Sequence, residues 1–271
     1  MTGLRLASWN VESIRAHEDQ VLGWVDRVEP DLVCLQETRA DQRKFPRRPW
    51  TDRGYELVIH GGNGGRGGVA IASKVSLDDI TLGIPGAVPP LDEPLSIAVT
   101  TSGLRVHTCY APNGRKTGTP PHQVKLAWFA LYAAWLEMDR EDDPEQILLG
   151  DLNIAPADID VWDASRYRKR NLTSPPERDA FEALLAGGAL VDVIRSRSDD
   201  DRIYTWWNRR SDFYETNRGW RLDHVLATPS VDARITSATI DRAERGHRRP
   251  SDPNDAKPSG ADHAPLVVDL S

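Results

Sequence analysis

The chain has few cysteines and no long hydrophobic run. Its two cysteines, Cys34 and Cys109, each lie inside an apolar segment, which is typical of buried free thiols rather than of a disulfide or a metal-binding pair. No uncharged apolar stretch approaches the roughly 20 residues that a bilayer-spanning helix needs. The sequence therefore predicts neither a disulfide-rich fold nor a membrane-spanning segment.

Targeting features are also absent from the first residues. Residues 1–10, MTGLRLASWN, lead directly into strand-like sequence and lack the basic and then apolar segments of a signal peptide. A cytoplasmic protein is therefore expected. No internal repeat, long linker or sharp change in composition divides the chain, so we expect one domain over residues 1–271, with a sizeable core.

Positive charge is in the minority, because 34 lysines and arginines face 41 acidic residues and the formal net charge is −7. Such a balance alone argues against a nucleic-acid partner. The basic residues are clustered, however, at residues 43–48, 166–170, 209–210 and 245–249. A single cluster is usually a solvated loop, whereas several clusters around a carboxylate-rich site would indicate more.

Short strand-like segments dominate the sequence. We count about ten, bounded by Gly, Pro, Asn and Asp, and residues 203–207, IYTWW, are one of them. Helical periodicity is limited to segments near residues 16–28, 121–138 and 177–186. Ser102-Gly103, between two strands, predicts a two-residue hairpin, so the sheet is expected to be antiparallel in part.

A glycine-rich segment needs its own interpretation. Gly62, Gly64 and Gly67 match the G-x-G-x-x-G pattern of dinucleotide-binding turns. The residues that follow, VAIAS, are typical of a strand and not of the helix that such a turn requires, so we predict a hairpin loop. Residues 246–260, rich in Pro, Asp and Ser, are predicted to form a surface loop.

Polar residues stand where the apolar strands end. Four strand-like segments end in polar residues, at Asn10, Glu37, Tyr110 and Asp151-Leu152-Asn153, and two begin with them, at Asp223 and Asp262-His263. If the last two strands run antiparallel to the first four, all of these side chains lie at the same edge of the sheets. This edge is the predicted active site.

Carboxylates dominate the predicted edge. Five of them, Glu12, Glu37, Asp151, Asp223 and Asp262, would repel one another in a cleft unless a cation offset their charge. Oxygen ligands without a Cys/His cluster favour Mg²⁺ or Mn²⁺ over zinc, and Mg²⁺ typically binds carboxylates together with a substrate phosphate. The pattern therefore predicts metal-dependent phosphoester chemistry.

Eight segments, in chain order, resemble the exonuclease III family of class II apurinic/apyrimidinic DNA endonucleases, within the endonuclease/exonuclease/phosphatase superfamily. They are SWNVESIRA, LQET, GGVAIAS, YAPNGR, GDLNIAP, YTWW, NRGWRLDHVLA and ADHAPLVVDL. The resemblance spans nearly the whole chain. It implies an α/β fold of the α+β type, a four-layer sandwich in which two mixed β-sheets pack face to face with helices outside.

The resemblance also implies a metal site centred on Glu37. Its further members would be Asn10, Asp151, Asn153 and Asp262, with Glu12 as an additional carboxylate where the family usually has Asn or Asp. Mg²⁺ is the implied cofactor, and Mn²⁺ is expected to substitute for it.

Catalytic roles follow from the same resemblance. Asp151 is similar to the residue that positions or deprotonates the attacking water, and Asn153 is similar to a donor to the phosphate oxygens. His263 resembles the imidazole that contacts the scissile phosphate, with Asp223 orienting it. Tyr110 would hydrogen-bond the phosphate or the water. Such groups suit a transition state that spreads charge over phosphate oxygens.

Three residues match positions that contact DNA in the family. Arg115, in the YAPNGR turn, resembles a DNA-contacting arginine, and Trp206 and Trp220 resemble aromatic residues that wall a pocket for a flipped-out abasic sugar. Core packing is the alternative for both tryptophans, and Trp207 is assigned to the core. Ala261 stands where the family usually has Ser, so a hydrogen bond that supports the Asp-His loop is expected to be missing.

The resemblance implies a DNA repair phosphodiesterase that cleaves double-stranded DNA 5′ to an abasic site and leaves a 3′-hydroxyl. The same centre would allow 3′→5′ exonuclease and 3′-phosphatase activity on blocked ends. A monomer without a membrane partner is expected. Two alternatives stay open. One is a superfamily phosphodiesterase or phosphatase acting on RNA, a phosphoinositide or another small phosphoester, which the acidic charge fits slightly better, and the other is a catalytically silent DNA-binding module.

Overall fold

The computed structural model describes residues 3–62, 64–142, 145–209, 212–246 and 260–271, and within these ranges the chain forms twelve β-strands and six α-helices. The strands are β1 (Leu4–Asn10), β2 (Leu32–Gln36), β3 (Glu56–His60), β4 (Val69–Ser73), β5 (Asp78–Leu82), β6 (Ser96–Thr101), β7 (Leu104–Tyr110), β8 (Gln146–Asp151), β9 (Val191–Asp192), β10 (Asp223–Ala227), β11 (Ile235–Ile240) and β12 (Leu266–Leu270). The helices are α1 (Glu18–Val28), α2 (Arg48–Thr51), α3 (Pro120–Asp142), α4 (Ala164–Tyr167), α5 (Pro175–Gly188) and α6 (Pro229–Asp232).

The strands form two six-stranded sheets. The first has the order β11-β12-β1-β2-β4-β3 and the second has the order β5-β6-β7-β8-β10-β9. Each sheet contains one parallel pair near its centre, β1 with β2 and β7 with β8, and its other neighbouring strands are antiparallel. Both sheets are therefore mixed, as the resemblance implied.

Apolar side chains fill the space between the sheets and outside them. Leu6 and Ile71 of the first sheet share a buried cluster with Val106 and Leu149 of the second, so the two sheets pack face to face. The outer face of the first sheet packs on α1, and the outer face of the second packs on α3 and α5. Strand side chains alternate between these two surfaces. The result is the expected four-layer sandwich.

The short-range turn predictions are confirmed. Thr101 pairs with Leu104, and the φ angles of Ser102 and Gly103 are 51° and 78°, as a tight hairpin turn with two left-handed central residues requires. Residues 61–68 connect the antiparallel strands β3 and β4. The glycine-rich segment is thus a hairpin loop and not a dinucleotide-binding turn.

The three helix predictions are also confirmed. In α1 the side chains of Val21, Leu22 and Val25 are buried on one face. Helix α5 begins at Pro175 and is preceded by a capping box, in which the backbone N–H of Ser174 donates to the carboxylate of Glu177. The predicted start at Pro175-Pro176-Glu177 therefore matches the observed start.

The strand predicted at residues 203–207 is wrong. Trp206 forms isolated bridges to Trp220 and to His263, and these bridges do not extend into a ladder. The segment is apolar because Tyr204 and Trp207 are buried in a connecting loop. Strand β5 was missed for the opposite reason: it has the exposed sequence DDITL at a sheet edge. Residues 247–259 of the predicted surface loop lie outside the described residues.

Two expectations about buried side chains and one about membrane-spanning helices can be compared with the structure. Cys34 and Cys109 are buried free thiols, as predicted. Trp207 is 0% exposed, which confirms its assignment to the core. None of the helices in the described ranges combines the length and the apolar character that crossing a membrane requires.

The topology brings the polar strand ends together. Strand β12 runs antiparallel to β1, and β10 runs antiparallel to β8. The beginning of β10 therefore lies beside the end of β8, and the beginning of β12 lies beside the end of β1. Strands β2 and β7, which are the parallel partners of β1 and β8, end at the same edge. This arrangement of strands is the one that the predicted active site needs.

Candidate active site

Asp151 lies at the centre of this edge. It is the last residue of β8, and it pairs with Tyr110 of β7 on one side and with Asp223 of β10 on the other. Directly paired residues of neighbouring strands point to the same face of a sheet. The three side chains therefore start from adjacent positions, and Asp151 is only 1% exposed.

Asn10 connects the two sheets at this point. It is the last residue of β1, and its Nδ2 donates to Oδ2 of Asp151 over 2.9 Å and to Oε1 of Glu37 over 3.2 Å. One buried amide group thus holds carboxylates from both sheets in a single cleft. The predicted convergence of residues 10, 37 and 151 is observed.

His263 lies between two carboxylates. Its Nδ1 is 2.7 Å from Oδ2 of Asp223, and its Nε2 is 3.8 Å from Oδ2 of Asp151. Ligand atoms of these three buried residues lie within 4.8 Å of one another. Because Asp223 accepts the proton on Nδ1, it fixes the orientation of the ring and leaves Nε2 facing Asp151.

Burial and neighbouring charges shift the pKa of both central groups. Burial of the carboxyl, with help from the charge of Asp223, raises the pKa of Asp151 to about 7, although His263 acts in the opposite direction. Burial lowers the pKa of His263, but the carboxylates of Asp223 and Asp151 outweigh burial and raise it to about 10. At neutral pH His263 therefore carries a positive charge, and Asp151 can gain or lose a proton.

Asn153 is fixed in a left-handed backbone conformation, with a φ angle of 51°. Its backbone N–H donates to Oδ1 of Asp151 over 2.8 Å, in a turn that keeps the two side chains together. Its Nδ2 donates to the carbonyl of Ala111, and its Oδ1 accepts from Nδ2 of Asn113, both over 2.9 Å. The orientation of this amide is therefore set before any substrate binds.

Glu37 contacts a cation and a phenol. Its Oε2 accepts hydrogen bonds from Nε and Nη2 of Arg39 over 3.0 and 2.6 Å. Burial, together with the charge of Glu37, raises the pKa of Tyr110 well above its usual value, so this hydroxyl stays protonated as a donor. Sequence reasoning missed Arg39, although its position two residues after Glu37 in LQETRA was a signal.

The two remaining acidic residues of the predicted metal site have different partners. Oδ2 of Asp262 accepts from the indole Nε1 of Trp206 over 3.0 Å. The carboxylate of Glu12 is paired with Arg209, and Nη1 of Arg39 lies 3.8 Å from it. Glu12 therefore joins two loops through arginines, and its role as a metal ligand stays a prediction.

The chemistry of the donors fits a hard divalent cation. Glu37 and Asp262 supply carboxylate oxygens, and the side-chain amide of Asn10 donates from Nδ2 to Glu37 while its Oδ1 accepts from the backbone N–H of Glu12. Mg²⁺ and Mn²⁺ prefer such oxygen ligands. The imidazole of His263 is already paired with Asp223, so these two residues are better suited to proton transfer than to metal binding.

Aromatic and basic side chains line a cavity of about 700 Å³ beside the catalytic cluster. The predicted DNA-contacting residues Arg115, Trp206 and Trp220 all line it, and the two indole ring centroids are 5.1 Å apart. Trp220 is 5% exposed, so the same ring also packs in the core. The pocket and core interpretations of this residue are therefore compatible.

The predicted basic clusters differ in their exposure and in their distance from the cavity. Lys169 and Arg170 line the same cavity as Arg115, and both are exposed. Arg245 is buried with 2% exposure, so it does not offer a free surface charge. Residues 210, 248 and 249 lie outside the described ranges. Exposed positive charge is thus found at the aromatic cavity and also in the cluster at residues 43–48.

The loop before Asp262 receives support from α1. The backbone N–H of Ala261 donates to Oε1 of Gln20 over 3.0 Å, and Nε2 of Gln20 donates to the carbonyl of Glu244 over 2.7 Å. A backbone hydrogen bond therefore holds the loop at the position where the family usually has Ser. The only sequence signal for this supporting role is that Gln20 is a polar residue beside the apolar face of the helix predicted near residues 16–28.

Comparisons with known proteins agree with this geometry. Residues 7–259 match the Endonuclease/Exonuclease/phosphatase family. The chain belongs to this family. It is 28% identical over 280 residues to the exodeoxyribonuclease III of Haemophilus influenzae, and the match covers 98% of this chain and 100% of that protein.

Two solved structures are similar to the whole sandwich of this family member. A 3′ phosphatase from Neisseria, bound to a product DNA hairpin, is 31% identical with a TM-score of 0.91, and 99% of each chain is covered. An AP endonuclease from Archaeoglobus fulgidus is 32% identical with a TM-score of 0.89, again over 99% of each chain. The resemblance to the exonuclease III family is thereby confirmed. The family is metal-dependent, in agreement with the carboxylates of Glu37, Asp151 and Asp262 at this edge.

Proposed function

We propose that this chain is a metal-dependent DNA repair phosphodiesterase that hydrolyses double-stranded DNA 5′ to abasic sites and also removes groups from blocked 3′ ends. One observation carries the proposal: the carboxylate of Asp151 lies between the Asn10–Glu37 contact and the His263–Asp223 pair. A general base, a cationic donor and an acidic metal-binding edge then face the same small volume.

The roles of the residues follow from this geometry. The carboxylate of Asp151 would accept a proton from the attacking water. The imidazolium of His263 would donate from Nε2 to a phosphate oxygen, while Asp223 holds the ring through Nδ1. The amide of Asn153 and the hydroxyl of Tyr110 would donate to the phosphate as well. Together these groups stabilise the charge that develops on the phosphate oxygens.

Glu37, Asn10 and Asp262 would hold the metal ion, which we propose to be Mg²⁺, with Mn²⁺ able to replace it. When bound, this ion would neutralise negative charge on the phosphate and on the leaving oxygen. Asp151, Asn153 and Glu12 are further candidate ligands. Of these, Glu12 has the least support, because its carboxylate is already paired with Arg209.

DNA is the proposed partner for two reasons. Lys169, Arg170 and Arg115 surround the aromatic cavity, where they would neutralise backbone phosphates despite the acidic net charge. The related Neisseria structure is that of a 3′ phosphatase bound to a product DNA hairpin.

The aromatic cavity also suits an abasic site. The walls formed by Trp206 and Trp220 would accept a base-free sugar more readily than an intact nucleotide. A monomeric state and a cytoplasmic location stay predictions.

The test compares four substrates in Mg²⁺, in Mn²⁺ and in EDTA. They are a duplex with one abasic-site analogue, the matched intact duplex, a duplex with a 3′-phosphate and the soluble diester bis-p-nitrophenyl phosphate. We expect metal-dependent incision of the abasic duplex and release of the 3′-phosphate, both lost in the Asp151→Asn variant. Turnover of the soluble diester without any action on the DNA substrates would reject the proposal in favour of a small-phosphoester enzyme.

A further inference from the structure

A fully buried ion pair lies directly behind the catalytic cluster. Lys125 of α3 and Glu177 of α5 are both 0% exposed, and Nζ of Lys125 is 2.5 Å from Oε1 of Glu177. Buried charges are costly to desolvate, and neutral residues of similar volume usually serve stability as well. The position of this pair therefore requires an explanation beyond stability.

The ammonium group of Lys125 has a second partner at the site. Its Nζ donates to the backbone carbonyl of Asn153 over 2.7 Å. Asn153 is the residue whose φ angle is 51° and whose Nδ2 lies 3.5 Å from Oδ2 of Asp151. A left-handed backbone conformation is unfavourable for a residue other than glycine, so it persists where neighbouring contacts fix it.

Glu177 extends the contact to a third segment. Its Oε1 accepts from the backbone N–H of Leu172 over 3.0 Å, and its Oε2 accepts from the backbone N–H and the hydroxyl of Ser174 over 3.0 and 2.6 Å. Leu172 lines the aromatic cavity. The ion pair thus links the cavity wall to the loop that carries Asn153.

The aliphatic part of Lys125 supports the turn on the other side of Asn153. A Cβ atom placed on Gly114 would lie 2.9 Å from Cδ of Lys125, so the lysine stem fills the space beneath this turn. The preceding residue, Asn113, donates from Nδ2 to Oδ1 of Asn153 over 2.9 Å. Lys125 therefore supports Asn153 through its backbone carbonyl and, by way of this turn, through its side chain.

We propose that Lys125, neutralised by Glu177, is a positioning residue that holds Asn153 in its phosphate-binding orientation without contacting the substrate. The inference rests on the proposed function of Asn153. Misplacing a catalytic group by a fraction of an ångström slows the chemical step more than it weakens substrate binding, because the orientation matters most in the transition state.

The test replaces both charges at once, by Lys125→Met with Glu177→Gln, because either single change leaves a buried unpaired charge that strongly destabilises the fold. The matched control is Arg105→Met with Asp139→Asn, which removes a largely buried ion pair whose Nε–Oδ2 distance is 2.8 Å and which joins β7 to α3 away from the catalytic edge. For each variant, kcat and KM on DNA, the melting temperature and the ¹⁵N amide spectrum are measured.

We expect kcat of the Lys125/Glu177 variant to fall at least about tenfold, with KM within about threefold of wild type. The backbone amide signals of Asn153 and Ile154 should shift, while the control variant keeps wild-type kcat and these signals. A kcat within twofold of wild type, or an equal loss in both variants, would overturn the positioning role. If wild type itself does not cleave DNA, the proposed function fails, and the amide signals alone then decide whether the pair positions Asn153.

Discussion

The indole of Trp206 donates a hydrogen bond to the carboxylate of Asp262, with 3.0 Å between Nε1 and Oδ2. The backbone of Trp206 also forms bridges to Trp220 and to His263. An aromatic wall of the cavity is thus tied to a proposed metal ligand and to the residue that follows it. Trp206 therefore has a polar role in addition to its contact surface.

The first prediction concerns this hydrogen bond. Trp206→Phe keeps an aromatic wall but removes the donor, so Asp262 is held less firmly and metal binding should weaken by about threefold to tenfold, which corresponds to the roughly 0.5–1.5 kcal/mol of an ordinary hydrogen bond. Titration with Mn²⁺, followed by electron paramagnetic resonance, measures the affinity. Trp207→Phe is the control, because that ring is buried in the core and should affect stability only. Equal Mn²⁺ affinity in Trp206→Phe and wild type would contradict the prediction.

The second prediction tests the proton-transfer groups. Asp151→Asn and His263→Ala should each lower kcat by at least about a hundredfold and change DNA affinity only modestly, because both groups act mainly on the transition state. Single-turnover cleavage and equilibrium DNA binding separate the two effects. Near-normal turnover in either variant would remove the role assigned to that residue.

Most of the catalytic cluster could be predicted because its residues lie at strand ends. A strand fixes the direction of its side chains, and pairing Asp151 with Asp223 and with Tyr110 follows once the strand directions are known. The sequence pattern located these ends without identifying the sheet order. The four-layer arrangement itself came from the family resemblance, since a strand count alone permits several architectures.

The supporting contacts could not be predicted, because they depend on loops and on helix faces. Trp206 was expected in a strand, whereas its loop conformation is what allows the indole to meet Asp262. Lys125 lies in a helix, where a lysine is normally assigned to the solvated face. Its burial follows from Glu177, which is 52 residues away in sequence. Contacts of this kind require the tertiary structure.

The third prediction concerns stability and pH in metal-free buffer. The pKa of His263 is raised to about 10 in the folded protein, from about 6.5 when unfolded. A raised pKa stabilises the fold below the unfolded value, and that stability is lost as the pH rises through the folded value. The free energy of unfolding should therefore fall from pH 7 to pH 10, by at most about 1.4 kcal/mol per pH unit for one proton.

Urea unfolding in EDTA across this pH range measures the effect. His263→Gln keeps a polar side chain but removes the titrating group, so its stability should depend less on pH between 7 and 10 than that of wild type. Asp223→Asn should act in the same direction, because it removes a charge that raises the pKa of His263. Parallel curves for wild type and His263→Gln would show that another group determines the pH dependence.

The fourth prediction concerns charge at the aromatic cavity. DNA affinity should decrease with salt, with a slope of about −0.9 in log K against log salt for each phosphate neutralised. Arg170→Ala removes an exposed guanidinium that lines the cavity, so it should weaken binding of all sequences similarly and reduce the magnitude of this slope by about one. Arg48→Ala is the matched control, because this exposed arginine pairs with Asp52, the residue that follows α2, and does not line the cavity. Fluorescence anisotropy between low and moderate salt gives both slopes. A slope near zero in wild type, or the same change in both variants, would mean that the cavity arginines do not contact the DNA backbone, and the acidic net charge would then favour a smaller phosphoester as substrate.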